Sequence, residues 1–140
     1  MKPHRPVYVV GGAHSPFLGK GHPDFISHKH PDYPQLQNPS LEDHLHRAIR
    51  DALADTGVSA AQVDKGYVSN FLGELFSRQG HLGAMAAAAD PGLLGKPFAR
   101  MEAACASGAV AVAASVDAIQ AGYDVTLVAG AEVETNVRGR

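Results

Sequence analysis

One stretch of the chain gathers the residue types that covalent chemistry needs: Glu102-Ala103-Ala104-Cys105-Ala106-Ser107-Gly108. Cys105 is the only cysteine, which excludes an internal disulfide framework and any multi-cysteine metal site. It lies between a run that predicts a short strand, Lys96 to Met101, and an Ala/Val run that predicts a helix, Ala106 to Ala121. In an open α/β sheet, ligands bind outside the carboxyl ends of the strands. A helix N-terminus adds unpaired N–H groups and a positive partial charge. These favour an anion at sulfur and can hold an oxyanion when a carbonyl is attacked. Ala104, Ala106, Ser107 and Gly108 are small enough to let a substrate approach the backbone. The chemistry this predicts is nucleophilic attack by Cys105. The alternative is that Cys105 is a small buried hydrophobe, as free cysteines often are.

The elements that must position this turn follow from periodicity. Val7-Tyr8-Val9-Val10 is a continuous β-branched and aromatic run that predicts a strand buried on both faces, closed by Gly11-Gly12. Residues 13–39 hold five of the nine prolines and four of the eight histidines and keep no period, which predicts a long surface loop. Ser40 and Asp43 have capping-box spacing, and Leu41, Leu45, Ile49 and Leu53 form one apolar stripe that Gly57 ends. Val63 to Asn70 predicts a strand, and Gly80 to Ala89 a helix broken by Asp90-Pro91-Gly92. Val125 to Ala129 predicts a last strand. The closing strand–helix–strand is a βαβ unit, so a mostly parallel sheet with a right-handed crossover is expected. The Ala106–Ala121 helix has only Asp117 as a charge, which predicts a helix buried on nearly every side. No internal repeat and no second domain is read.

Composition narrows the function classes. Twelve Lys+Arg against fourteen Asp+Glu in 140 residues give a net charge of -2, which argues against electrostatically driven nucleic-acid binding. No apolar run reaches the roughly 18 residues needed to cross a bilayer, and no secretory signal is read, leaving cytoplasm as the expectation. His28 and His30 lack a ligand spacing, and His44 and His46 at i and i+2 point apart, so no metal site is expected. Gly11-Gly12 without G-x-G-x-x-G supports no dinucleotide site. His81, at the start of the Ala-rich helix, is a possible supporting residue for Cys105, the alternative being a polar residue near a helix start. Glu132, after Gly130, is expected to pin its loop by hydrogen bonds rather than to react.

Cys105-Ala106-Ser107-Gly108-Ala109, Ala118 to Val125, and Val128-Ala129-Gly130-Ala131-Glu132 together resemble the thiolase family around its acyl-accepting cysteine. Glu102 to Gly108 is most similar to the sterol-carrier-protein type and related bacterial and archaeal thiolases, of the acetyl-CoA acetyltransferase class. The resemblance extends to Val7–Pro16 as the opening strand and loop, Leu41–Gly57 as the first helix and Asp64–Asn70 as the second strand. It implies an α/β, thiolase-like layered fold, of which residues 1–140 would be an incomplete N-terminal βαβαβαβ portion with a buried central helix. It implies an acyltransferase of lipid metabolism that condenses acyl-CoA thioesters, or thiolyses 3-ketoacyl-CoA, through an acyl-cysteine. Cys105 maps onto the nucleophile with its N–H in the oxyanion hole, and Gly108 onto the glycine that follows. Coenzyme A thioester would be the substrate, with no covalently bound cofactor. A homodimer or homotetramer, or a complementary C-terminal half, would be the partner. The family's activating histidine and second catalytic residue belong to that other half, so the 140 residues alone are expected to be inactive. Val133-Glu134 depart from the family's Ser-Met, and the loop from Lys20 to Asn38 is longer than usual. The rivals are a ketoacyl synthase or hydroxymethylglutaryl-CoA synthase-like condensing enzyme, and a non-catalytic half.

Overall fold

The computed structural model describes residues 5–134. Helix α1 spans Leu41–Thr56. It opens with the reciprocal cap expected of Ser40 and Asp43: the Ser40 side chain accepts the Asp43 N–H at 3.1 Å, and Asp43 Oδ2 accepts the Ser40 N–H at 2.8 Å. It ends on Gly57, whose φ of 67° is the left-handed conformation that glycine adopts freely. Strand β1 follows at Lys65–Ser69, then short helices α2, Gly73–Ser77, and α3, Leu82–Ala87. Strand β2, Phe98–Met101, leads into α4, Ser107–Gln120, and strand β3, Thr126–Gly130. Single 3-10 turns at Ala60–Gln62 and Pro91–Leu93 complete the described elements.

The sheet is parallel throughout, in the order β2-β1-β3. β1 is its centre, and β2–α4–β3 is the expected unit, with α4 crossing over β1 from one edge to the other. Leu41, Leu45 and Ile49 of α1 pack with Val63, Val68, Leu82 and Ala86 on one face. Tyr67, Ala111 and Ala118 form the smaller core on the other, backed by Met101, Ala114 and Val128. α1 grips α3 through two side chains: His46 Nε2 lies 2.7 Å from the Met85 carbonyl, and Arg50 Nε donates to the Ala89 carbonyl at 2.7 Å. Gly66 faces its register partner Phe98 so closely that a Cβ would sit 2.0 Å from the ring.

The structure departs from the sequence expectations in several places. Val7–Val10 forms no strand: Val9 is 93% exposed and Tyr8 75%. A strand needs a backbone partner, and the N-terminal segment is tied by side chains instead, Arg5 to Gln120 and Asp124, and the Gly12 N–H to Asp55. The sheet among the described residues therefore has three strands, where the sequence suggested four. Helix α2 was not expected; five residues are too few for a period to show. α4 is buried on one face only: Ser107, Ala111, Ser115, Ala118 and Ile119 meet the sheet side, while Val112 is 51% exposed. Its uniformly apolar surface is the reason that periodicity could not tell its two sides apart.

The loop 13–39 carries no helix or strand. It does contain a short internal repeat, contrary to the expectation of none. His22-Pro23-Asp24-Phe25 and His30-Pro31-Asp32-Tyr33 make the same turn twice. In each, the aromatic N–H donates to the histidine carbonyl at 3.0 Å, and the aspartate N–H donates to histidine Nδ1 at 3.1 and 3.2 Å.

Candidate active site

The carboxyl ends of all three strands open into one cavity of about 640 Å³. Ser69, Asn70 and Phe71 reach it from β1, Ala104 and Cys105 from the turn after β2, and Gly130, Ala131 and Glu132 from the end of β3. Ser15 to Gly19 of the long loop and His44 of α1 form a further wall. This is the location expected of a ligand site in a parallel sheet, and the volume suits a small-molecule ligand.

Cys105 is exposed and lines this cavity, so the buried-hydrophobe alternative is set aside. It precedes Ala106, the N-cap of α4. Ala104, just before it, has a φ of 51°, a left-handed conformation costing an alanine about 1–2 kcal/mol. Hydrogen bonds hold that turn. The buried Ser107 Oγ donates to the Ala104 carbonyl at 2.7 Å and accepts the Ala103 N–H at 2.9 Å. The Ala104 N–H donates to Glu102 Oε1 at 2.7 Å, and the Ala106 N–H to the Ala103 carbonyl at 2.9 Å. The chain reverses around Cys105, leaving its side chain outside the packed layers. Gly108 also lines the cavity, and a Cβ there would meet nothing within 4 Å. Packing within the described residues does not require a glycine at that position.

The floor is fixed by Asn70 and Glu132. Asn70, 1% exposed, donates from Nδ2 to the Ala131 carbonyl at 2.7 Å and accepts the Gly73 N–H on Oδ1 at 2.8 Å. The Glu132 carboxylate accepts the N–H groups of Phe71 and Leu72. Arg100 Nη2 donates to the Phe71 carbonyl at 3.0 Å. Glu132 thus has the structural hydrogen bonds expected of it, but they pin the turn after β1 and not the cysteine turn. Asn70 was missed because a single Asn at a strand end carries no spacing signal.

His81 stands at the exposed N-cap of α3, its N–H donating to Gln79 Oε1, and is not among the cavity-lining residues. The histidine that does line the cavity is His44, whose Nδ1 lies 2.8 Å from Ser15 Oγ. Burial holds its imidazole below the usual histidine range, with Asp43 opposing. His44 and His46 diverge to different partners, as i and i+2 spacing requires. Among the described residues no three His, Cys, Asp or Glu side chains converge as metal ligands.

The chain matches the family model described as "Thiolase, N-terminal domain" over residues 33–139. It belongs to the thiolase family. The match begins inside the long loop, leaving residues 1–32 outside it. The chain is similar to an acetyl-CoA acetyltransferase of Methanothermobacter thermautotrophicus, 38% identical over 104 residues, covering 74% of this chain and 27% of that protein. It is similar to another acetyl-CoA acetyltransferase, from Methanocaldococcus jannaschii, 36% identical over 100 residues, 65% of this chain and 25% of that protein. The chain thus spans about a quarter of the length of these two relatives. Its parallel α/β architecture is the one expected for the N-terminal part of a thiolase. Among the described residues, no helix is long and apolar enough to cross a membrane.

Proposed function

We propose that this thiolase chain provides the acyl-accepting part of an acyltransferase acting on coenzyme A thioesters, with Cys105 as the nucleophile. The observation that carries the reading is the exposed Cys105 on a strained turn, at the N-terminus of α4, lining a cavity at the carboxyl ends of the strands. The names of the two relatives, both acetyl-CoA acetyltransferases, support the substrate class.

In this mechanism Cys105 Sγ attacks the thioester carbonyl. The sulfur–acyl bond forms, the bond to coenzyme A sulfur breaks, and the cysteine proton leaves with coenzyme A as its free thiol. The carbonyl oxygen carries the developing charge, and in this reading the Cys105 N–H and the positive end of the α4 dipole stabilise it. Gly108 leaves room for the thioester beside that turn. A carbanion, formed when a base takes the α-proton of a second acyl-CoA, then attacks acyl-Cys105. The product is a 3-ketoacyl-CoA, and the proton returns to the cysteine. Thiolysis is the same sequence reversed.

The base that moves the α-proton is assigned to a complementary half or partner subunit. Two observations support this. With His81 outside the cavity lining, the His44 and Glu132 side chains that do line it are engaged by Ser15 and by the Phe71 and Leu72 N–H groups, and the outward face of α4, with Val112, offers apolar surface for another layer. A homodimer or homotetramer is the assembly proposed.

The test is acyl transfer by the intact protein with acetyl-CoA and with acetoacetyl-CoA plus coenzyme A. Cys105→Ser is expected to abolish both. Unchanged turnover in that variant would remove Cys105 from the mechanism. Carbon dioxide release from malonyl-thioesters would favour a ketoacyl-synthase-type reaction instead.

A further inference from the structure

The 15–19 segment forms a wall of the Cys105 cavity without belonging to any helix or strand. Something other than a ladder must hold it. The structure offers a side-chain tie to the scaffold: Ser15 Oγ to His44 Nδ1 at 2.8 Å, across 29 residues of sequence. His44 is carried by α1, whose buried Leu41, Leu45 and Ile49 anchor it rigidly in the core. The ring of His14 stacks on Phe17 with centroids 5.6 Å apart, stiffening the segment next to the tie. Phe17 and Leu18 line the cavity here, with Phe71 and Val133 as further apolar lining. Phe17 is otherwise 86% exposed, so its ring is available to an apolar occupant of the cavity.

The geometry points to Ser15 and His44 as a positioning pair that latches the 15–19 strap over the cavity, making Phe17 and Leu18 a size-selecting wall for the acyl group delivered to Cys105. This deepens the acyl-site reading and rests on it for the identity of the occupant. His44 acts through Ser15, and neither residue takes part in the chemistry. With the tie intact the strap is held close and bulky acyl groups meet Phe17 and Leu18. With it broken the wall swings and the cavity admits more.

The test needs no turnover, so it separates this proposal from the acyl-transfer reading. Cys105 in the intact protein is alkylated with N-methylmaleimide and with N-cyclohexylmaleimide, and each adduct is quantified at the Cys105 peptide by mass spectrometry. The measured quantity is the ratio of the two rates, which cancels changes in intrinsic thiol reactivity. Ser15→Ala is expected to lower the methyl-over-cyclohexyl ratio about threefold or more, the population shift that loss of one hydrogen bond permits. Ser15→Thr, which keeps the hydroxyl, is expected to restore it. His44→Ala is expected to match Ser15→Ala, and the double variant to lower the ratio no further. If His44→Ala fails to fold, the two Ser15 variants decide alone, because Ser15 lies outside every helix and strand. An unchanged ratio in Ser15→Ala, an equal fall in Ser15→Thr, or additive effects in the double variant would each overturn the latch. Should the latch hold while Cys105→Ser keeps full acyl transfer, the strap stands and the acyl-site reading fails.

Discussion

The Ser107 hydroxyl donates to the Ala104 carbonyl at 2.7 Å and so closes a ring of backbone around Cys105. The same oxygen accepts the Ala103 N–H, so one buried side chain satisfies both sides of the turn. The left-handed φ of Ala104 persists because this ring over-determines it.

Ser107→Ala is therefore expected to destabilise by about 1–3 kcal/mol, since the Ala103 N–H and Ala104 carbonyl lose a buried partner. Thermal unfolding of the intact protein measures this. At position 104, Gly is expected to be tolerated and Val to destabilise by more than Gly, because a β-branched residue resists positive φ. Equal stability of the Gly and Val variants would contradict the strain assigned to Ala104.

Asn70 is the second buried support of the site. Asn70→Ala removes two hydrogen bonds, those to the Ala131 carbonyl and from the Gly73 N–H. The expected loss is about 2–4 kcal/mol, with the Gly73 N–H at the start of α2 left buried and the Ala131 carbonyl after β3 left half-buried. Hydrogen exchange should show faster exchange of the Gly73 amide in particular.

Gly66 shows how the sheet's register constrains sequence. A Cβ there would lie 2.0 Å from the Phe98 ring. Gly66→Ala is expected to destabilise by about 1–3 kcal/mol through overpacking. Phe98→Leu in the same chain should recover part of the loss, and stability assays of the pair test that coupling.

The pH dependence follows from three side chains. Burial lowers the His44 pKa below its ordinary 6.5. As pH falls below 6.5, the unfolded chain takes up that proton first, so stability is lost down to the lower folded value; above 6.5 the group has no effect. Asp64 is lowered below 3.8 by the N–H groups of Val125 and Asp124, and Asp43 by the side chain and backbone N–H of Ser40. Their stabilisation is full above 3.8 and disappears as pH falls through their folded values. The melting temperature should thus fall on acidification, starting as pH drops below 6.5, and His44→Asn should remove the His44 contribution.

Much of this was legible in the sequence. α1 was readable from end to end because Ser40, Asp43, the leucine stripe and Gly57 all pointed to one boundary set. The β2–α4–β3 unit was readable because two short apolar runs flanked an Ala-rich helix. The turn bearing Cys105 followed from that order. Val7–Val10 failed because apolar composition cannot show whether a pairing edge is available. His44 failed as a site residue because its partner Ser15 lies in a loop whose path no local pattern specifies. The α4 outer face was legible in part: a helix apolar all round states that it needs more cover than one small sheet and two helices provide, without saying which side stays open.

The central claim is that Cys105 carries the acyl group, and trapping tests it most directly. The intact protein is incubated with acetyl-CoA, quenched in acid, digested and read by mass spectrometry. The account predicts one acetyl group on the Cys105 peptide, released by hydroxylamine as a thioester must be and absent in Cys105→Ser. An acetyl group on another residue, or steady acyl transfer with Cys105 unmodified throughout, would contradict it.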